Sequence, residues 1–485
     1  MHMQIDRRSF LQMTAAGGTY CLGCPAVFGA VSGHWRQFSG SPLVSPGCRG
    51  TKVKVARLFL GSSHGLWPKP NLDFEEEMRF YRSRMDEIAE LHDVTFSVDE
   101  LVTTVEGAQS LRERLAAVDG ILAIHLNLSI GQVLREILSV GRPTTVFAVP
   151  YSGHDWTWFG SLMDEPAGAR MECLLTSDLS QLALAIRPFR AIHHLREAKI
   201  LNVTTRSFEE YASAVREKFG AEIYPLSRER VLRAYEDVSE RRARDETERW
   251  ISEAEQVVEP SREEVYRSSR LALALQDLLD EEDATVMTVD CYGTMWDGTI
   301  LLPAYPCLGF ARLNNMGFGG ICESDLQSAM THVVFQGLSG RPGFISDPTV
   351  DESNGTIILA HCLGTPKMDG PDGSAAPYKL RTIMERQEGV VTQVRMRVGE
   401  RVTQARLIGI DHLLYFTGEI VDAPVSLEHD RGCRTKIAVR TDGDIQTLWR
   451  NWSSGLHRVT CYGDITKELS HFCRFMDIRT ENEAV

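Results

Sequence analysis

The chain of 485 residues is 43% hydrophobic and 24% charged, the composition of a folded globular protein with about three domains. Its 52 basic and 66 acidic residues give a net charge of −14, which repels nucleic acid and anionic membrane surfaces. After residue 35 no stretch approaches the roughly 20 apolar residues that span a bilayer. These properties exclude nucleic-acid binding and predict a mature protein that is not embedded in a membrane.

Residues 1–50 are predicted to be an export signal followed by a linker. Arg7 and Arg8 precede Ser-Phe-Leu and a mildly apolar run rich in Gly and Ala, which resembles a twin-arginine signal. The alternative is a disordered N-terminus in which the arginine pair has no role. The signal predicts a periplasmic or otherwise exported protein, and the alternative predicts a cytoplasmic one.

Strands and amphipathic helices alternate from residue 51 to about residue 300. In residues 51–175 the strand KVKVARLFLG precedes the helix DFEEEMRFYRSRMDEIAEL and the strand DGILAIHLN. The alternation continues in residues 176–300, which include the strand KILNVTT. Because this pattern is typical of parallel sheets with crossover helices, the sequence predicts two doubly wound α/β domains. Neither contains the glycine-rich phosphate-binding pattern of a dinucleotide or P-loop site.

Residues 301–485 have a different pattern. Loops rich in Gly, Pro and Asp surround one helix at 323–337 and short β-branched runs such as GVVTQVRMRVG and VTQARLIGI. This predicts a mainly antiparallel, barrel-like C-terminal domain. The expected fold class is therefore α/β, with two parallel-sheet domains followed by a β-rich domain.

The eleven cysteines do not form the spacing of a small disulfide framework. Four of them, Cys291, Cys322, Cys362 and Cys461, flank motifs in the C-terminal half and are expected to pack as small buried side chains.

Four residues of the C-terminal half are candidate metal ligands: Glu323, Asp347, His361 and His457. Two carboxylates with one or two imidazoles suit a divalent cation such as Mn²⁺ better than a structural zinc site, which favours thiolates. Each residue also has an ordinary explanation. A Glu stabilises a helix start, an Asp before Pro is common in turns, and either histidine is explained by core packing or a surface loop.

Five segments of this half resemble the L-fucose isomerase/L-arabinose isomerase family, in particular its fucose-isomerase-like branch. They are GGICESDLQSAM, LSGRPGFISDPTV, ILAHC, GCRTKIAV and GLHRVTCYGDITKELSHFCRFMDI, all within residues 285–480. The resemblance implies two α/β domains, a barrel-like domain, a homo-oligomer and an intramolecular oxidoreductase that interconverts an aldose and a ketose. It also implies an Mn²⁺ site in which Glu323 and Asp347 are ligands and acid/base groups, and His457 is a further ligand. His361 matches a further histidine that is a metal ligand in the arabinose-isomerase branch.

This assignment suits the chemistry of isomerisation. Moving a carbonyl from C1 to C2 removes a proton next to the carbonyl and returns it to the neighbouring carbon through an ene-diol. Two carboxylates beside the sugar serve as base and acid, and a divalent cation polarises the carbonyl. Trp296, Arg341 and Lys367 are weaker candidates for contacts to the sugar, with packing or surface roles as the alternatives.

Two other functions stay open. Two α/β lobes and an export signal also describe a periplasmic sugar-binding protein, although such receptors need neither the Glu/Asp/His set nor a long β-rich extension. A carbohydrate-active or non-catalytic protein that keeps this fold without isomerising a sugar is the second alternative.

Overall fold

The structure, a computed structural model, describes residues 51–296, 298–423 and 431–485. The predicted twin-arginine signal and linker, residues 1–50, lie outside the described residues, so the export signal stays a prediction. Among the described residues, no helix combines the length and apolar character needed to traverse a bilayer.

A five-stranded parallel sheet with the order β2-β1-β3-β4-β5 forms the first part of the chain. Its strands are β1 Lys54–Leu60, β2 Thr95–Val102, β3 Gly120–His125, β4 Thr144–Ala148 and β5 Met171–Leu175. The helices around it are α1 Phe74–Asp86, α2 Val105–Ser110, α3 Arg112–Ala116, α4 Gly131–Leu138 and α5 Phe159–Met163, with 3₁₀ turns at Ala89–Leu91, Asp155–Trp158 and Pro166–Gly168. Every residue of β3 and β4 is buried, as expected for strands covered by helices on both faces.

The second part contains a four-stranded parallel sheet with the order β10-β9-β6-β7. Its strands are β6 Lys199–Val203, β7 Glu222–Pro225, β9 Val286–Val289 and β10 Gly319–Cys322, while β8 Gln256–Val257 belongs to a separate small sheet. The helices are α6 Gln181–Glu197, α7 Glu209–Phe219, α8 Arg228–Asp237, α9 Glu240–Glu253, α10 Arg262–Glu281, α11 Cys291–Met295 and α12 Cys307–Asn315. Strand β10 therefore places residues after the predicted boundary at 300 in the second parallel sheet.

The C-terminal part is a closed antiparallel barrel. Its strands are β11 Phe344–Asp351, β12 Thr356–His361, β15 Arg401–Ile408, β16 His412–Asp422, β17 Thr435–Thr441 and β18 Arg458–Tyr462, and the pairing of β15 with β16 closes the ring. Strand β19, Arg479–Asn482, joins β16 in parallel, and β13 Tyr378–Arg381 and β14 Val391–Val394 complete the small sheet with β8. The remaining helices are α13 Leu326–Ser339, α14 Ile445–Asn451 and α15 Thr466–Phe475. Parallel sheets followed by an antiparallel barrel are thus confirmed.

Helix α13 connects the second sheet to the barrel. It begins at Leu326, three residues later than the sequence predicted, and all but one of its residues are buried. Hydrophobic residues of the second sheet, α13 and the barrel form one continuous core, while separate cores cover the two faces of the first sheet. The close packing of α13 depends on Gly337, where an added Cβ would lie 2.5 Å from the Cα of Ala191 on α6.

Replacing Gly337 with alanine is expected to lower the free energy of unfolding by about 1–3 kcal/mol, because the backbone of α6 must move to admit the methyl group. Thermal unfolding followed by circular dichroism measures the effect. The matched control is Gly160→Ala in α5, where an added Cβ would meet no described atom within 4 Å. Equal melting temperatures for Gly337→Ala and the wild type would contradict the proposed close packing.

Candidate active site and metal centre

Four side chains from separate elements meet where the second sheet joins the barrel. Glu323 follows the last residue of β10, Asp347 lies within β11, His361 ends β12, and His457 directly precedes β18. The barrel brings the last three together because β11 pairs with both β12 and β18, with Asp347 opposite Ala360 and Ser346 opposite Arg458. The predicted ligands, far apart in sequence, are therefore neighbours in space.

The carboxylates of Asp347 and Glu323 lie close to the Nε2 atom of His457. Its Nε2 atom lies 3.2 Å from Asp347 Oδ1 and 3.6 Å from Glu323 Oε2, and Nε2 of His361 lies 3.7 Å from Glu323 Oε1. One ligand atom each from Glu323, His361 and His457 fall within 4.8 Å of one another. These separations place three potential ligand atoms within reach of a single cation, and Asp347 lies against the same nitrogen of His457.

Two buried polar atoms at this point are suited to a cation. His457 Nε2 and Asp347 Oδ1 face each other but have no aligned hydrogen-bond partner among the described residues. Buried polar groups are nearly always partnered, so the pair calls for a further group that contacts both atoms from one side. Two carboxylates and an imidazole form an oxygen- and nitrogen-rich donor set that fits Mn²⁺ or another divalent cation.

Asp325 orients His457, and the sequence prediction did not find it. Its Oδ2 atom accepts a hydrogen bond from His457 Nδ1 at 2.9 Å and contacts Arg406 Nη1 at 2.6 Å. The proton on Nδ1 leaves the Nε2 lone pair of a neutral ring pointing at Glu323 and Asp347, the tautomer that a metal ligand requires.

Neighbouring charges shift the pKa values of His457, Asp325 and Asp347. Burial alone would lower the pKa of His457, but the carboxylates of Asp325, Asp347 and Glu323 outweigh it and raise the pKa to about 10. Burial alone would raise the pKa of Asp325, but His457 and the Arg406 guanidinium hold it far below its usual range. The pKa of Asp347 is likewise lowered, mainly by His457, although burial alone would raise it. The carboxylates around His457 thus favour a positive charge at this point, as they would favour a bound cation.

His361 has a different hydrogen-bonding arrangement from His457. Its Nδ1 atom accepts the backbone N–H of Leu363 at 3.1 Å, so a neutral ring carries its hydrogen on Nε2, facing Glu323. Burial opposes protonation of this ring, but Glu323 and Asp347 outweigh it and raise the pKa of His361. In this arrangement the Nε2–H of His361 points towards Glu323 at 3.7 Å, too far for a hydrogen bond, whereas His457 presents a lone pair.

The backbone at Glu323 is held in an uncommon conformation. Glu323 and Ser324 have φ angles of 65° and 54°, in the left-handed region that side chains other than Gly rarely adopt. Arg206 donates to the carbonyl of Glu323, and the Ser324 hydroxyl donates to Asn202 Oδ1 at 2.7 Å. Such strain of roughly 1–3 kcal/mol per residue persists only where surrounding contacts fix it, and it is concentrated at functional sites.

A cavity of about 770 Å³ adjoins Glu323 and His457. It is within the size range of small-molecule sites. Its polar lining includes Arg206, Tyr211, Asp325, Gln327, Arg406 and Ser454. The side chain of Arg206 is 57% exposed there, and its Nε atom lies 2.8 Å from Asp290 Oδ2.

The three weaker substrate candidates are not among the residues that line this cavity. Trp296 is half exposed and stacks on Tyr292, with ring centroids 4.7 Å apart. Arg341 donates to the carbonyl of Tyr462, at the opposite end of β18 from His457. Lys367 donates to the carbonyl of Pro371 within its own loop. The structure therefore brings the four predicted ligands together but places Arg341 and Lys367 elsewhere.

Comparison with known proteins points to sugar isomerisation. No protein-family model matches the chain. The chain is similar to a sulfoquinovose isomerase from Clostridium sp. (strain MSTE9), with 26% identity over 193 residues. The similarity covers 36% of this chain and 39% of the relative's length. A distant relative of this chain is thus a sugar isomerase, which supports isomerisation as the general kind of reaction.

Replacing Asp325 with asparagine is expected to weaken Mn²⁺ binding by about 10–100-fold, because the charge that holds the His457 ring and its Nδ1 proton is lost. Isothermal titration calorimetry on the purified chain measures the affinity, and circular dichroism checks that the variant is folded. Asp372→Asn, at an exposed position, is the control and should bind as the wild type does. An unchanged affinity in folded Asp325→Asn would show that this contact does not support the ligand.

Proposed function

We propose that the protein is a metal-dependent aldose–ketose isomerase that acts through an ene-diol. The observation that carries the proposal is the convergence of two carboxylates on Nε2 of His457, at 3.2 Å for Asp347 and 3.6 Å for Glu323. A sugar-binding protein needs to surround its ligand with hydrogen bonds, but it does not need acids clustered on one imidazole lone pair.

Glu323, Asp347 and His457 would hold the cation, for which Mn²⁺ is the first candidate. When bound, it supplies Lewis-acid polarisation of the carbonyl and stabilises the negative charge that develops on the sugar oxygens. Asp325 and Arg406 keep His457 in position, and the contact from His361 keeps Glu323 in place.

The two carboxylates are proposed to carry the proton between C1 and C2. Glu323 directly follows β10 and Asp347 lies in β11, so they can approach a sugar from different directions. One takes the proton from C2 of the aldose and returns it to C1, and the other gives a proton to the carbonyl oxygen O1 as the ene-diol forms and takes the proton of the O2 hydroxyl as the ketone forms. Proton transfer by positioned groups typically contributes a rate factor of about 10²–10⁴ for each group.

The cavity beside Glu323 indicates which sugars to test first. Arg206 lines this cavity, where its Nε and Nη2 atoms contact Asp290 and the carbonyl of Glu323 while the side chain stays 57% exposed, and guanidinium groups bind planar or tetrahedral anions well. Sulfoquinovose is therefore the first aldose to test, since the similar clostridial protein is named for it, with neutral aldoses in parallel. Export by the twin-arginine signal and assembly as a homo-oligomer remain parts of the proposal.

Glu323→Gln and Asp347→Asn are each expected to lower the isomerisation rate by roughly 10³-fold, because each removes a proton carrier and a ligand charge. Proton NMR in D₂O, with Mn²⁺ present, follows both interconversion and deuterium entry at C1 or C2 of the sugar. Glu419→Gln, which changes an exposed acid of the same barrel, should retain the wild-type rate.

Two results would contradict the proposal. Full activity in both site variants would remove these carboxylates from the reaction. Tight, metal-independent sugar binding without deuterium exchange in any aldose or ketose would instead identify a sugar-binding protein.

A further inference from the structure

A second cluster of metal-binding side chains lies beside the first. Cys362 directly follows His361, Cys433 lies two residues before β17, and Glu385 lies in the loop between β13 and β14. One ligand atom from each of the three falls within 4.8 Å of the others. The cluster thus joins two neighbouring barrel strands to a loop of the small sheet.

The sulfur–oxygen distances in this cluster fit a cation with tetrahedral coordination. Cys362 Sγ lies 3.7 Å from Glu385 Oε2, and Cys433 Sγ lies 3.6 Å from Glu385 Oε1. Zinc bonds of about 2.3 Å to sulfur and 2.0–2.2 Å to oxygen, at a tetrahedral angle, place sulfur and oxygen about 3.5–3.7 Å apart. Each thiol is therefore at this distance from one oxygen of the Glu385 carboxylate, Cys362 from Oε2 and Cys433 from Oε1.

The cluster of Cys362, Cys433 and Glu385 is buried on one side and open to solvent on the other. Cys362 is buried against the apolar side chains of Ile383 and Val391. Cys433 is half-buried and Glu385 is exposed. This leaves access for an ion from solvent and a free position for water, as in three-ligand zinc sites.

We propose that Cys362, Cys433 and Glu385 bind a thiophilic divalent cation such as Zn²⁺. Sulfur ligands favour such an ion, whereas the oxygen and nitrogen donors around His457 favour Mn²⁺, so the two neighbouring sites select different metals. A cation here fastens the β13–β14 loop to the end of the strand that carries His361. This site does not depend on the proposed isomerase activity.

Cobalt(II) absorption tests the site directly. A cobalt–thiolate bond gives a charge-transfer band in the near ultraviolet, which the sulfur-free centre at Glu323 and His457 does not produce. With thiols kept reduced and native metal removed, Co²⁺ titration should give this band in the wild type, and Zn²⁺ should abolish it. Cys362→Ser and Cys433→Ser should each give a clearly weaker band, because one of the two thiolates is lost, and the control Cys173→Ser, which changes a half-buried cysteine of the first sheet, should keep the full band.

Glu385→Gln provides a second variant that leaves both thiols in place. It should keep the band but bind Zn²⁺ at least about tenfold more weakly in a competition titration, because one ligand charge is lost. Absence of the band in the reduced wild type would overturn the proposal. So would a band of wild-type intensity in folded Cys362→Ser and Cys433→Ser, or unchanged Zn²⁺ affinity in Glu385→Gln.

Discussion

The contact between Asp325 and His457 connects the two halves of the candidate site. Asp325 caps the helix that leaves the second sheet, and His457 directly precedes a strand of the barrel, yet their side chains meet at 2.9 Å in a buried setting. Arg406 from β15 neutralises the carboxylate. Removing one partner of such a buried charged group leaves the others unpaired, which typically costs about 3–5 kcal/mol. The same contact therefore fixes the domain junction and the orientation of the imidazole.

The strained backbone at Glu323 depends on this junction too. Glu323 lies between Cys322, the last residue of β10, and the helix cap Asp325. Because the sheet and the helix hold the chain before and after it, Glu323 keeps its left-handed conformation. Arg206 donates a hydrogen bond to the carbonyl of Glu323, and Asn202 accepts one from the hydroxyl of Ser324. The arrangement pre-positions a carboxylate before any substrate arrives, which reduces the reorganisation needed during proton transfer.

The sequence revealed much of this site, but not how it is supported. Glu323, Asp347 and His457 were predicted from motifs, and the structure brings them together. Asp325 was not predicted because Asp is common at helix N-caps. Its Oδ1 atom does cap α13 by accepting the N–H of Ser328. Its Oδ2 atom accepts the hydrogen bond from His457. Arg206 and Asn202 are more than a hundred residues from Glu323, so no local pattern connects them. Arg341 was a candidate because it lies near Asp347 in sequence, but the extended strand between them carries it away from the site.

The most direct test of the central claim is a crystal of the chain grown with Mn²⁺, with anomalous diffraction recorded on either side of the manganese absorption edge. The account predicts a manganese peak bounded by Glu323, Asp347 and Nε2 of His457. A peak elsewhere, with these three side chains in contact with one another alone, would contradict it.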